Sequence, residues 1–155
     1  MALNPFRSAR KKMIRIFHRL ARINGTPREI ALGAALGILI GMTPFWGLQI
    51  ALSLFLSSLL GWNRIACIIG ANITNVATAP LIYPITYWVG MRLVGASEGT
   101  RWPVRLDPSA LVTLVTQSPR ILADLTVGGL VTGLPLSVGI YFLMLKGVCI
   151  YRHRR

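Results

Sequence analysis

Five uncharged polar side chains stand in the most apolar parts of this chain, and they are the residues best suited to contact a polar ligand. Residues 30–63 and residues 65–91 contain no charged side chain. Amide and hydroxyl groups inside such segments are costly to bury, and they often mark the path of a substrate or an ion. Alternatively, they satisfy backbone groups that are freed where a helix is broken. The five candidates are Gln49, Asn72, Thr74, Asn75 and Thr78.

The rest of the sequence lacks the residue patterns of an enzyme active site. The four acidic residues are scattered, and Glu29 and Asp107 stand where they can cap helices. No acid pair, histidine cluster, G-x-S-x-G motif or metal-ligand spacing occurs, and Cys67 and Cys149 are far apart in the sequence. We therefore expect no catalytic activity, no metal ion and no cofactor.

The composition indicates a membrane protein. Apolar residues make up 54% of the 155 residues and charged residues 14%, whereas soluble proteins carry about 25% charged residues. Residues 30–63, 65–91 and 125–145 are uncharged, and each stretch exceeds the roughly 18 residues that indicate a membrane span. A nucleic-acid-binding protein with the same net charge of +13 would have to bury these stretches in one small core. We therefore expect no nucleic acid partner.

Positive charge is concentrated at the two ends of the chain. Residues 1–25 form a basic arm, within which residues 5–23 have the pattern of an amphipathic helix. Such a helix either anchors in the headgroups of an anionic leaflet or only sets the topology by the positive-inside rule. Both interpretations place the arm, and with it the basic tail 149–155, in the cytoplasm. The membrane-surface cations of the arm are Arg7, Arg10, Lys11, Lys12, Arg15, Arg19 and Arg22.

The membrane domain is expected to cover residues 26–148. Prolines that follow a capping side chain mark the starts of helices in its first part. Thr26-Pro27 and Thr43-Pro44 predict helices over about 27–42 and 44–60. Each helix is shorter than the roughly 30 Å of a hydrocarbon core. Residues 27–60 are therefore expected to form a hairpin, either a re-entrant loop or two short spans, with Pro44 and Gly47 at its break.

The second half of the membrane domain is predicted to hold a broken helix over 64–95, an outer loop over 96–124 and a span over 125–146. Asn63 is a candidate cap for the broken helix, and Pro80 marks the point where that helix resumes. Because both termini are basic, the number of full crossings should be even. The expected fold is all-α: a small polytopic membrane protein with broken or re-entrant helices and an amphipathic N-terminal helix.

Three glycines repeat at every fourth position of the first predicted helix. Gly33, Gly37 and Gly41 make a ridge of small residues that lets another helix approach closely. We interpret the ridge as a packing surface rather than a ligand site. Because three apolar stretches make only a thin bundle, we also expect the protein to form homo-oligomers.

Two segments resemble a bacterial membrane family known as domain of unknown function 2062. They are PREIALGAALGILIGMTPFWGLQ and WNRIACIIGANITNVATAPLIYPITYWVG. The resemblance covers about residues 27–146, and Val76 departs from it, because the family usually has proline there. It implies a bacterial inner-membrane protein and supplies no established activity. The positions that match the family's pattern are Pro44, Gly47, Gln49, Asn63, Asn75, Thr78, Pro80, Tyr83 and Gly90.

Two functional hypotheses follow from these patterns. Paired broken helices are typical of transporters that bind a substrate near the middle of the membrane, and this plan is also similar to that of DedA-type lipid scramblases. The first hypothesis is therefore a small transport or lipid-translocation module in the inner membrane, facing anionic lipid headgroups. The alternative is a non-catalytic, membrane-embedded assembly or interaction factor whose breaks are purely architectural.

Overall fold

The structure is a computed structural model that describes residues 24–45, 47–72, 78–95 and 119–153. These residues form α-helices and turns and contain no strand, in agreement with the predicted all-α fold. Residues 1–23, which hold the seven arm cations, lie outside the described residues, as do Thr74 and Asn75. The helices are α1 (Pro27–Gly41), α2 (Leu48–Leu59), α3 (Arg64–Ala71), α4 (Ala79–Val94) and α5 (Pro119–His153).

Helices α1 and α2 form a hairpin whose two ends meet. A capping box starts α1, and Thr26 and Glu29 are both capping residues as the sequence predicts. The Glu29 amide donates to Thr26 Oγ1 at 3.2 Å, and the Thr26 amide donates to Glu29 Oε2 at 3.3 Å. After α2, the Asn63 amide donates to the Glu29 carbonyl at 3.2 Å, and the Asn63 side chain donates to the Asn24 carbonyl at 2.9 Å. The chain therefore returns from the tip of the hairpin to the level at which α1 begins.

The predicted start of the second helix at Pro44 is wrong, since α2 begins at Leu48. Thr43 does not cap a following helix. Its hydroxyl donates back to the Ile40 carbonyl at 2.6 Å, which closes the end of α1. Gly47 then adopts a φ of 85° directly before α2, a conformation that residues with a Cβ rarely adopt.

Helices α3 and α4 lie within residues 64–95, for which a broken helix is predicted. Asn63 caps α3, because its Oδ1 accepts from the Ala66 amide at 2.9 Å. Helix α3 ends at Ala71 and α4 begins at Ala79, so that Pro80 stands in the first turn of α4, where a proline does not interrupt helical hydrogen bonds. Between the two helices, residues 73–77 lie outside the described residues.

Helix α5 runs antiparallel to both α1 and α4. Val148 and Met144 pack on Ile30 near the start of α1, whereas Gly133 contacts Met42 just beyond its end. The helix begins at Pro119 and runs 35 residues to His153, past both ends of the predicted span 125–146. Pro135 does not end it. By length and composition, α5 can cross a membrane.

Candidate functional site

The glycine ridge of α1 packs directly on α3. A Cβ at Gly33 would overlap the Asn63 carbonyl oxygen, and one at Gly37 would overlap the Cys67 carbonyl oxygen. The contact is mutual, because a Cβ at Gly70 of α3 would come within 2.5 Å of the Ala34 carbonyl oxygen. Gly41 is buried at the end of the ridge. Two broken elements, the hairpin and the α3–α4 pair, therefore meet backbone to backbone.

A second close contact joins α4 to α5. A Cβ at Gly90 would overlap the Asp124 carbonyl oxygen, and a Cβ at Gly128 would overlap the Thr86 carbonyl oxygen. The side chains of Thr86, Asp124 and Tyr83 are all fully buried. Sequence reasoning placed Asp124 in an outer loop, because its charge ends the uncharged stretch, whereas the structure buries it within α5.

Helix α2 buries small and polar residues and exposes its apolar ones. Ser53 and Ser57 are 0% exposed, whereas Phe55 is 64% exposed and Leu59 71%. Gln49 lies one turn before Ser53 and is half-buried. Residues 49, 53 and 57 are spaced by four, so they form one stripe along the inner face of the helix. We call this set, Gln49, Ser53 and Ser57, the inner polar stripe.

The inner polar stripe faces α3. The thiol of Cys67 lies against the hydroxyls of Ser53 and Ser57, and Ser57 Oγ donates to the Ser53 carbonyl. Although the Cys67 thiol lies close to Ser53 Oγ, the two groups are not oriented to form a hydrogen bond. Two buried oxygens, Ser53 Oγ and Gln49 Oε1, have no hydrogen-bond partner among the described residues. Such unsatisfied buried groups are rare in folded proteins and call for a ligand, a water molecule or a functional explanation.

The register of the helices places Gln49 near the end of α3. Helix α2 runs antiparallel to α3, and Ser53 and Ser57 lie opposite Cys67. Gln49 is therefore level with the end of α3, one turn beyond Cys67. Asn72 caps that end from an exposed position, and its side chain donates to the Ile68 carbonyl at 2.8 Å. This hydrogen bond is of the kind that the architectural alternative for Asn72 expects.

The other site residues predicted from the sequence lie at the start of α4 and at the tip of the hairpin. Thr78 stands half-buried directly before α4 and does not cap it with its side chain. Pro44 and Gly47 lie at the tip of the hairpin, Pro44 buried and Gly47 exposed. Sequence reasoning missed Ser53 and Ser57, although their spacing of four from Gln49 is visible in the sequence.

Large apolar side chains cover much of the outer surface of the helices. Leu81 and Leu93 on α4 are 72% and 60% exposed, and Leu143 on α5 is 63% exposed. Isolated exposed apolar residues are ordinary in soluble proteins, but a contiguous surface of them marks contact with a membrane or a partner. Within the described residues, apolar exposure recurs on α2, α4 and α5.

Exposed cations stand at the two ends of the bundle. At one end, Arg152 of α5 donates to the Gly25 carbonyl at 2.8 Å, close to Arg28 and Arg64 at the starts of α1 and α3. At the other end, the Arg92 guanidinium lies 4.8 Å from the ring centre of Trp88 on α4. Tryptophan and arginine in this arrangement are typical of the boundary between lipid and water.

Comparison with known proteins identifies one family. A family model described as "Uncharacterized protein conserved in bacteria (DUF2062)" matches residues 10–155. The match covers almost the whole chain and includes both segments that carry the resemblance. No curated protein and no solved structure matches the chain.

Proposed function

Because the chain belongs to this uncharacterised bacterial family, DUF2062, we propose its function from its own geometry: it is a multi-pass inner-membrane protein with a small transport or lipid-translocation module. The distribution of polar and apolar residues on α2, with polar residues inside and apolar residues outside, supports the membrane location. In water, the hydrophobic effect would disfavour a helix that buries Ser53 and Ser57 while exposing Phe55 and Leu59. In lipid, by contrast, helices commonly contact one another through small residues and expose apolar residues to the acyl chains.

In this proposal the α1–α2 hairpin is re-entrant. A Cβ at Gly129 would overlap the carbonyl oxygen of Met42, so the tip of the hairpin lies level with Gly129 of α5. Gly129 stands four residues inside the uncharged stretch 125–145, or about 6 Å from its end. The tip therefore stops within the apolar layer, and the chain returns at Asn63 to the side on which it entered.

The cations support an orientation with both termini in the cytoplasm. Arg28, Arg64 and Arg152 gather at the end where the basic arm and the basic tail attach. By the positive-inside rule this end is cytoplasmic. The α3–α4 pair then crosses outward, residues 96–118 connect on the outside, and α5 crosses back. The arm 1–25 adds further cations to the same anionic surface.

The single observation that supports transport is the pair of unsatisfied oxygens on the inner polar stripe. Gln49 Oε1 and Ser53 Oγ are buried without a hydrogen-bond partner among the described residues. Gln49 lies level with the end of α3, where the break in the helix is expected to begin, and transporters commonly bind substrate at such breaks. We propose that Gln49 offers its amide to a polar solute or to the polar group of a lipid, and that Thr74, Asn75 and Thr78 contribute from the interruption.

Thiol labelling tests whether this region holds water. In a background with Cys67 and Cys149 replaced by alanine, Gln49→Cys should react with a membrane-impermeant thiol reagent in membrane vesicles, because a solute path must be hydrated. Phe55→Cys on the outer face of the same helix is the matched control and should stay unreacted in lipid. Reactivity of Gln49→Cys as low as that of Phe55→Cys would count against transport.

The rival proposal is a membrane-embedded assembly or interaction factor without catalytic activity. The glycine contacts favour it, because a Cβ at Gly33 or at Gly37 would overlap backbone atoms of the α3 region and the ridge therefore serves packing. In either proposal the exposed apolar faces of α2 and α5 are available for lipid or for a homo-oligomer. If Gln49→Cys reacts as slowly as Phe55→Cys with the impermeant thiol reagent, water is excluded from this region and the assembly factor is favoured.

A further inference from the structure

An apolar groove runs between α1 and α5 on the outside of the bundle. Its volume is about 420 Å³, within the roughly 300–1,000 Å³ of small-molecule sites. Ser137 and Tyr141 are the polar members of an otherwise apolar and aromatic wall. The apolar part is formed by Leu32, Ala35, Leu36, Leu39, Trp62, Val138 and Phe142.

Both walls of the groove lead to a cation at the same end. On α1, Arg28 stands one turn before Leu32, and on α5, Lys146 stands one turn after Phe142. Because α1 and α5 are antiparallel, these two turns lie at the same end of the groove. Both cations are exposed, and neither forms an ion pair with any described residue. Trp62 stands near this end, between α2 and α3.

We propose that this groove binds an anionic glycerophospholipid. One acyl chain lies along Leu36 and Phe142, and the phosphate lies between Arg28 and Lys146. The proposal rests on the membrane location proposed above, but not on transport. It differs from the general attraction of the basic arm to an anionic surface, because it assigns one headgroup and one chain to named residues of the helical bundle.

Charge distinguishes a lipid from a second copy of the chain as the occupant. A second copy carries the same excess of cations, with a net charge of +13. Glu29, the acid nearest to Arg28, is already engaged in the capping box of α1. The headgroup of an anionic lipid supplies a negative counter-charge for Arg28 and Lys146, and an acyl chain of the same lipid covers the apolar wall of the groove.

Native mass spectrometry of the full-length protein in detergent tests the site, with phosphatidylglycerol and phosphatidylcholine of identical acyl chains as probes. The wild type should prefer phosphatidylglycerol by about 30-fold. The choline ammonium of phosphatidylcholine offsets the charge of its phosphate, whereas a net anionic headgroup keeps an attraction of about 1 kcal/mol to each of the two cations. The double variant Arg28→Gln with Lys146→Gln should bind both lipids equally. Ala35→Phe, which fills the groove without changing charge, should weaken the binding of both lipids.

The matched control is Arg64→Gln with Arg120→Gln, which removes the same charge from exposed positions outside the groove wall and should keep the preference. A control that loses as much selectivity as the groove variant would overturn the site, because attraction would then be diffuse. So would a wild type without preference, or an Ala35→Phe variant that changes the oligomeric state while lipid binding persists. If the protein still sediments with membranes, each of these results would contradict the lipid site but not the proposed function.

Discussion

Replacing Gly90 or Gly128 by alanine should lower the stability of the folded protein by about 3 kcal/mol or more, because overpacking against rigid backbone lies at the upper end of measured costs. At both positions the added methyl group would overlap a backbone carbonyl oxygen, that of Asp124 or that of Thr86. A backbone carbonyl cannot rotate away as a flexible side chain can, so α4 and α5 must separate. Thermal unfolding of the purified protein in detergent measures the loss.

Gly139→Ala is the matched control for these variants. Gly139 also lies within α5, but a Cβ there would have no heavy atom of another described helix within 4 Å. The variant should be neutral or more stable by up to about 1 kcal/mol, since alanine favours a helix over glycine. If Gly90→Ala and Gly139→Ala unfold at the same temperature, the close contact of α4 with α5 is absent.

The variant Phe55→Lys should be almost missing from the membrane. Phe55 is 64% exposed on the outer face of α2, which the proposal places in lipid. A lysine in the centre of a membrane helix costs about 2.5–3.5 kcal/mol, whereas a surface substitution in a soluble protein usually changes stability by less than about 0.5 kcal/mol. The measurement is the abundance of a tagged protein in the membrane fraction.

Phe55→Leu is the control, because it keeps an apolar side chain at the same exposed position. Its abundance should equal that of the wild type. If Phe55→Lys were as abundant as Phe55→Leu, the outer face of α2 would be in contact with water rather than lipid. That result would contradict the membrane location of the hairpin.

The sequence predicts local structure well where a single side chain decides it. The capping box at Thr26 and Glu29 and the cap at Asn63 depend on residue types at fixed spacing, and both are confirmed. Thr43 shows the limit of this reasoning. Its hydroxyl can bond forward to a new helix or back to the preceding one, and it bonds back to Ile40. Residue type alone does not decide between these two bonds, because both are open to a threonine at the end of a helix.

Contacts between helices are harder to predict, because they depend on which face meets which partner. The ridge of Gly33 and Gly37 is visible as a spacing of four, but its partner α3 is not. The inner polar stripe escapes notice because its serines stand among leucines in an apolar segment. Asp124 shows the opposite error: a charged residue is usually exposed, whereas Asp124 is fully buried in α5, at the position where the backbones of α4 and α5 come into close contact.

The central claim, a membrane bundle whose hairpin enters and returns on the cytoplasmic side, is tested most directly by the side from which three cysteines react. In a cysteine-free background, the sites are Leu60→Cys after the hairpin, Arg120→Cys at the start of α5 and His153→Cys at its end, all of which are exposed. An impermeant thiol reagent should label only Arg120→Cys in spheroplasts, and only Leu60→Cys and His153→Cys in inside-out vesicles. Labelling of Leu60→Cys from the same side as Arg120→Cys would contradict the hairpin, and recovery of all three proteins in the soluble fraction would contradict the membrane location.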